Sequence, residues 1–151
     1  VVSKCVVIST SDLPLSDLIH NSASSNVVIG ERMANAYLDR FFGLAGMQAP
    51  SVIRIERVGD DAAQITFDCD DVLAADESGK GFVFEDDDGL FGAVSVKRSG
   101  CGLLVHAARP FSEHPRLHGY WRCTADAFVP HARHGMPMLS FYNVPIEAPA
   151  D

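Results

Sequence analysis

Residues 62–69 read Ala62-Ala63-Gln64-Ile65-Thr66-Phe67-Asp68-Cys69, and this octet decides the fold class. Ala63, Ile65, Phe67 and Cys69 alternate with Gln64, Thr66 and Asp68, the period of two expected of a strand with one dry and one wet face. Just upstream, Gly59-Asp60-Asp61 separates the octet from Ser51–Val58, a hairpin signal that makes the two runs antiparallel neighbours. Downstream the device recurs. Phe82–Glu85 and Leu90–Arg98 flank Asp86-Asp87-Asp88-Gly89, where Asp-Gly favours a tight turn. Ser99-Gly100-Cys101-Gly102 then turns the chain into Leu103–Arg109, and His118–Val129 and Met138–Val144 are further strand candidates.

Toward the N-terminus the period changes. Met33, Tyr37, Phe41 and Leu44 form one apolar stripe at helical spacing, with Glu31, Asn35 and Asp39 opposite, so Glu31–Phe42 is read as the main helix. Gly43 is its natural stop. Ser11–Asn26, with Pro14 and several serines, reads as a loop, and the β-branched run Lys4–Thr10 as a first strand. The order is a strand, a helix and then about six strands on short turns, which force antiparallel neighbours. The expectation is a single α+β domain over 1–151, a meander curved around the helix, as in hot-dog, cystatin-like and NTF2-like architectures. In such a fold the concave face beside the helix holds a pocket.

Charge is sorted along the chain. Residues 60–88 hold more than half of the twenty acids, while 97–134 hold Lys97, Arg98, Arg109, Arg116, Arg122 and Arg133 and five of the six histidines. A dipolar field of this kind steers ligands and partners. The net charge of −8 argues against phosphate-backbone binding, so no nucleic acid is expected. No apolar stretch approaches the length of a membrane span and the first residues do not form a signal sequence, so a cytoplasmic protein with no membrane partner is expected. Cys5, Cys69, Cys101 and Cys123 are scattered, and a core of this size needs no disulfides.

No motif specifies a reaction, and whether the protein is an enzyme stays open. His131 and His134, even with Cys123 and Asp126, match no zinc pattern, so no metal and no cofactor is expected. The most suggestive run is His118–Val129, which presents His118, Tyr120, Arg122, Thr124 and Asp126 on one face and Trp121, Cys123, Ala125, Ala127 and Val129 on the other. A half-buried strand ordinarily turns its polar row to solvent. If that row instead lines a pocket, Arg122 or Arg109 would fix the charge of a small or acyl anion and Tyr120 would donate a hydrogen bond. His118, His106 or Asp126 would then move protons. The alternative is an acidic interaction module, an inhibitor, immunity-type protein or chaperone that meets a basic protein through Asp86, Asp87 and Asp88. The bland reading of those acids is a solvated hairpin turn. A homo-oligomer that covers the sheet edge and apolar surface is compatible with either.

Overall fold

A computed structural model describes residues 5–44, 48–69, 71–74, 77–121 and 128–149. The tight turns read from the sequence build the sheet as antiparallel hairpins. The first strands, β1 (Val52–Val58) and β2 (Ala62–Phe67), pair across Gly59, which takes a left-handed φ of 65°. Next come β3 (Val72–Leu73), β4 (Phe82–Asp86), β5 (Gly89–Ser99) and β6 (Gly102–Ala107), followed by β7 (Arg116–Gly119), β8 (His131–Ala132) and β9 (Phe141–Pro145). Seven strands form one sheet in the order β1-β2-β6-β5-β4-β7-β9, and β3 pairs separately with β8. Directly after β9 the chain returns to β1 in parallel. The Arg57 N–H donates to the Glu147 carbonyl at 2.8 Å and the Glu147 N–H to the Ile55 carbonyl at 2.9 Å. The two margins of the sheet therefore meet, and it curves into a near-barrel.

Alternation sorts the side chains. Ile55, Ile65, Phe82, Phe84, Val96, Leu103, Val105 and Leu117 are all buried in one core. Burial of each such side chain stabilises the fold by about 1.5–3 kcal/mol. Phe84 lies 5.6 Å from Phe91 and 5.2 Å from Phe111, so rings fill the centre. Asp86 enters the core side at the end of β4. Its carboxylate takes both terminal guanidinium nitrogens of Arg109, at 2.7 and 2.8 Å, and the Ser112 N–H at 2.9 Å. The guanidinium in turn lies over the Phe91 ring, 3.8 Å from its centroid. Hydrogen bonding from Arg109 holds the Asp86 carboxyl at about 2, well below its ordinary 3.8.

The helix is longer and differently placed than expected. It runs Ala23–Phe42 (α1), capped by Ser22, whose hydroxyl accepts the Ser25 N–H at 3.1 Å, and it stops at Gly43 with φ 64°. Ser25 and Ala36 are its buried residues. The inner face is tied to the N-terminal segment, with Arg32 forked onto Asp12 at 2.7 Å and bonded to the Ser9 carbonyl at 2.8 Å. The apolar stripe faces outward, with Met33 59% and Tyr37 53% exposed, and among the described residues the core cluster of the sheet includes none from the helix. Thus the sheet curves around its own side chains and not around the helix. Among the described residues no helix is long and apolar enough to cross a membrane.

Two strand expectations change. Residues 5–10 form no strand: Val7 is exposed, while Ser9 is buried and donates to the Met138 carbonyl at 3.0 Å. Glu147 already occupies the free edge of β1, which removes one ladder that this segment could have joined. The run His118–Val129 leaves the ladder after Gly119, because Tyr120 adopts a φ of 51°.

Two stability predictions follow from the sheet and its buried ion pair. A Cβ at Gly102 would stand 1.9 Å from the Ile65 carbonyl oxygen. Gly102→Ala should therefore cost ~3 kcal/mol or more in denaturant unfolding. At Gly100 a Cβ meets nothing, and Gly100→Ala should cost only the left-handed penalty of about 1 kcal/mol. The second prediction concerns acid. The unfolded Asp86 carboxyl takes a proton before the folded one does, so its contribution is complete above pH 3.8 and is lost as pH falls toward about 2. Relative to Asp86→Asn, the native protein should lose extra stability across that window. Parallel acid titrations of the two proteins would contradict this.

Candidate functional site

Core residues fill the inner face of the sheet, and a cleft lies on its outer face. Val83 and Glu85 point outward from β4, between the inward Phe82, Phe84 and Asp86. Across the ladder Val83 faces His118 of β7 and Gly92 of β5, while Glu85 faces Arg116 and Leu90. Together with Trp121 and Tyr142, the residues Val83, Glu85, Leu90 and His118 line an open cleft of about 270 Å³.

The polar groups of the cleft are held in fixed positions. His118, 7% exposed at its side chain, meets the Glu85 Oε2 through Nε2 at 2.9 Å. Its Nδ1 accepts the Asn143 N–H at 3.0 Å. An accepting Nδ1 belongs to the neutral ring, so the proton sits on Nε2 and is donated to Glu85. Asn143 reaches this position through a left-handed φ of 61° at an irregularity in the β7–β9 register. Its side-chain oxygen also accepts from Arg116 at 3.2 Å.

The apolar wall is a stack of rings. Tyr142 lies between His118, 4.6 Å away centroid to centroid, and Trp121, 4.3 Å away at an interplanar angle of 31°. Trp121 is nevertheless 62% exposed. The cleft thus joins a half-exposed carboxylate with hydrogen-bond capacity to a broad, water-facing aromatic surface. Among the described residues lining it there is no Ser, Thr or Cys nucleophile.

The other residues singled out from the sequence are dispersed. Tyr120 is buried, not presented to a pocket. Its ring meets Phe82 edge-on at 5.3 Å and its hydroxyl donates to the Phe128 carbonyl at 3.1 Å. Arg109, expected to hold an anion, is engaged by Asp86. His106 sits on the outer face of β6, with β5 and β4 between it and His118. Arg122 and Asp126, with Cys123 and Thr124, lie outside the described residues. Of the acidic turn, Asp86 is inside and paired, and Asp87 meets His114 Nδ1 at 3.1 Å. Asp88 donates its N–H to Asp86 at 3.0 Å. Asp87, Glu113 and His114, all exposed, place one potential metal-ligand atom each within 4.8 Å of one another.

Sequence reading missed Glu85, Trp121 and Tyr142 as site residues. Strict alternation puts Trp121 opposite His118 and beside the core, and the left-handed Tyr120 reverses that order. Gly92 within the Leu90–Arg98 run was the available signal for this face, because glycine inside a strand marks a place of close approach.

No protein-family model matches the chain, and no curated protein matches it in sequence. Solved structures do resemble it in shape. A carbohydrate acetylesterase from Xanthomonas citri superposes with a TM-score of 0.67 at 20% identity, over 86% of this chain and 30% of that one. Domains 1–6 of the surface layer protein SbsC superpose with a TM-score of 0.52 at 13% identity, over 85% of this chain and 17% of that one. At these identities the likeness is one of fold. The chain is similar to a portion, under a third, of each of these longer proteins.

Proposed function

We propose that this domain binds a carbohydrate in the outer cleft of β4, β7 and β9. The observation that carries the reading is the pairing of an oriented carboxylate, Glu85, with the exposed Trp121–Tyr142 stack. A sugar ring offers what such a site takes: C–H groups that pack on an aromatic face and hydroxyls that donate to a carboxylate. Val83 and Leu90 extend the apolar floor. The likeness to part of a carbohydrate acetylesterase supports the same ligand class.

Binding is favoured over bond cleavage. Glu85 and His118 have the groups for proton transfer, but hydrolysis by a covalent route needs a nucleophile as well, and the described residues that line the cleft include no Ser, Thr or Cys. Among the described residues that line the cleft the carboxylate of Glu85 faces the ligand, and Arg109 is committed to Asp86, an arrangement that suits a neutral ligand better than an anionic one. The acidic-module alternative is weakened for the same residues, as Asp86 is buried in its ion pair.

Trp121 is the sole tryptophan of the chain, so its fluorescence reports on the cleft directly. Titration with neutral cello-, xylo- and manno-oligosaccharides should give a saturable change with at least one series. Measured by calorimetry, Trp121→Ala should weaken that binding about tenfold, equivalent to ~1.4 kcal/mol for a stacked ring. Glu85→Gln should weaken it by a similar factor, whereas Tyr37→Ser on α1 should leave it unchanged. Absence of any saturable response across the three series would overturn the assignment.

A further inference from the structure

We infer that the ligand is a saccharide chain laid across the strands over Gly92, and not a single sugar confined to the cleft. The inference rests on the carbohydrate reading and deepens it. Tyr142, His118, Val83 and Gly92 form one outward row from β9 through β7 and β4 to β5, with Val83 directly opposite both His118 and Gly92. At the usual strand spacing that row is about 14 Å long, which exceeds one pyranose ring.

The far end of the row is bare. Gly92 is exposed, and a Cβ built there would meet nothing within 4 Å. Its φ is not in the left-handed region, so neither packing nor backbone conformation requires glycine. Glycine inside a strand weakens it, and one common reason for it is a ligand lying close to the backbone. The flanking outward residues of β5 agree with this. Leu90 is 69% exposed beside the cleft, and Val94 is exposed beyond Gly92. The outward side of β5 is therefore apolar on both sides of Gly92. A chain anchored on Trp121 and Glu85 would cross Val83 and rest on the Gly92 backbone.

The test is affinity against chain length, using the neutral series that binds, from monosaccharide to hexasaccharide. In the native protein, affinity should rise at least tenfold from the monosaccharide to the tetrasaccharide and then level off. Gly92→Leu, which the open space allows to fold, should abolish that rise while leaving monosaccharide affinity within twofold; its unfolding transition should match the native one. Gly92→Ala should give an intermediate loss. A native affinity independent of length would overturn the extended site while leaving the cleft assignment intact. Full tetrasaccharide affinity in a folded Gly92→Leu would also overturn it. Failure of every length, monosaccharide included, would instead remove the carbohydrate reading itself.

Discussion

Hydrogen bonds between Glu147 and the β1 residues Ile55 and Arg57 join the last strand of the sheet to the first. An unpaired strand edge leaves its backbone donors and acceptors to water or to a stray chain. Here the return of Ile146-Glu147 covers β1 and draws the seven strands into a near-barrel. The interior of such a closed sheet must be filled to crystal-like density, and Phe82, Phe84, Phe111 and Tyr120 do so. Among the described residues these rings occupy the centre, and the cleft beside Trp121 and His118 opens on the outer surface.

That surface is organised by local departures from regular strand geometry. Tyr120, with φ 51°, turns its ring into the core and lets Trp121 join the cleft. Asn143, with φ 61°, aims its N–H at His118 and sets Tyr142 between two rings. Asparagine tolerates this conformation better than most residues, whereas a tyrosine there is unusual and must be held by its surroundings. The Phe82 ring, the Gly81 carbonyl and the Phe128 carbonyl supply that hold. Fold and site are thus coupled through the same few residues.

The antiparallel hairpins were legible because their turns carry chemical demands: Gly59, Gly89 and Gly100 all adopt positive φ between alternating runs. Gly43 was equally legible as a helix stop. The helix start was not, since Val27, Val28, Ile29 and Gly30 are poor helix formers and disguise the Ser22 cap. Met33, Tyr37 and Phe41 share one exposed side of the helix, and amphipathicity does not say what a face meets. Here the helix turns Ser25, Arg32 and Ala36 inward and leaves the stripe exposed. Of the candidate site, only His118 was legible. Glu85 sits within an acidic run of the sequence, and strict alternation places Trp121 on the dry face because a period of two cannot anticipate a left-handed residue. Tyr142 stood out in no pattern, and its role arises from ring stacking across β7 and β9.

Amide and indole chemical shifts during titration with a neutral tetrasaccharide test the outer-face site most directly. The Trp121 indole N–H and the backbone amides of Gly92, His118 and Asn143 should move together and saturate, while those of Ala36, Tyr37 and Phe41 on α1 stay fixed. Perturbation confined to the helix, or none at Trp121 and Asn143, would contradict the placement of the ligand on this face.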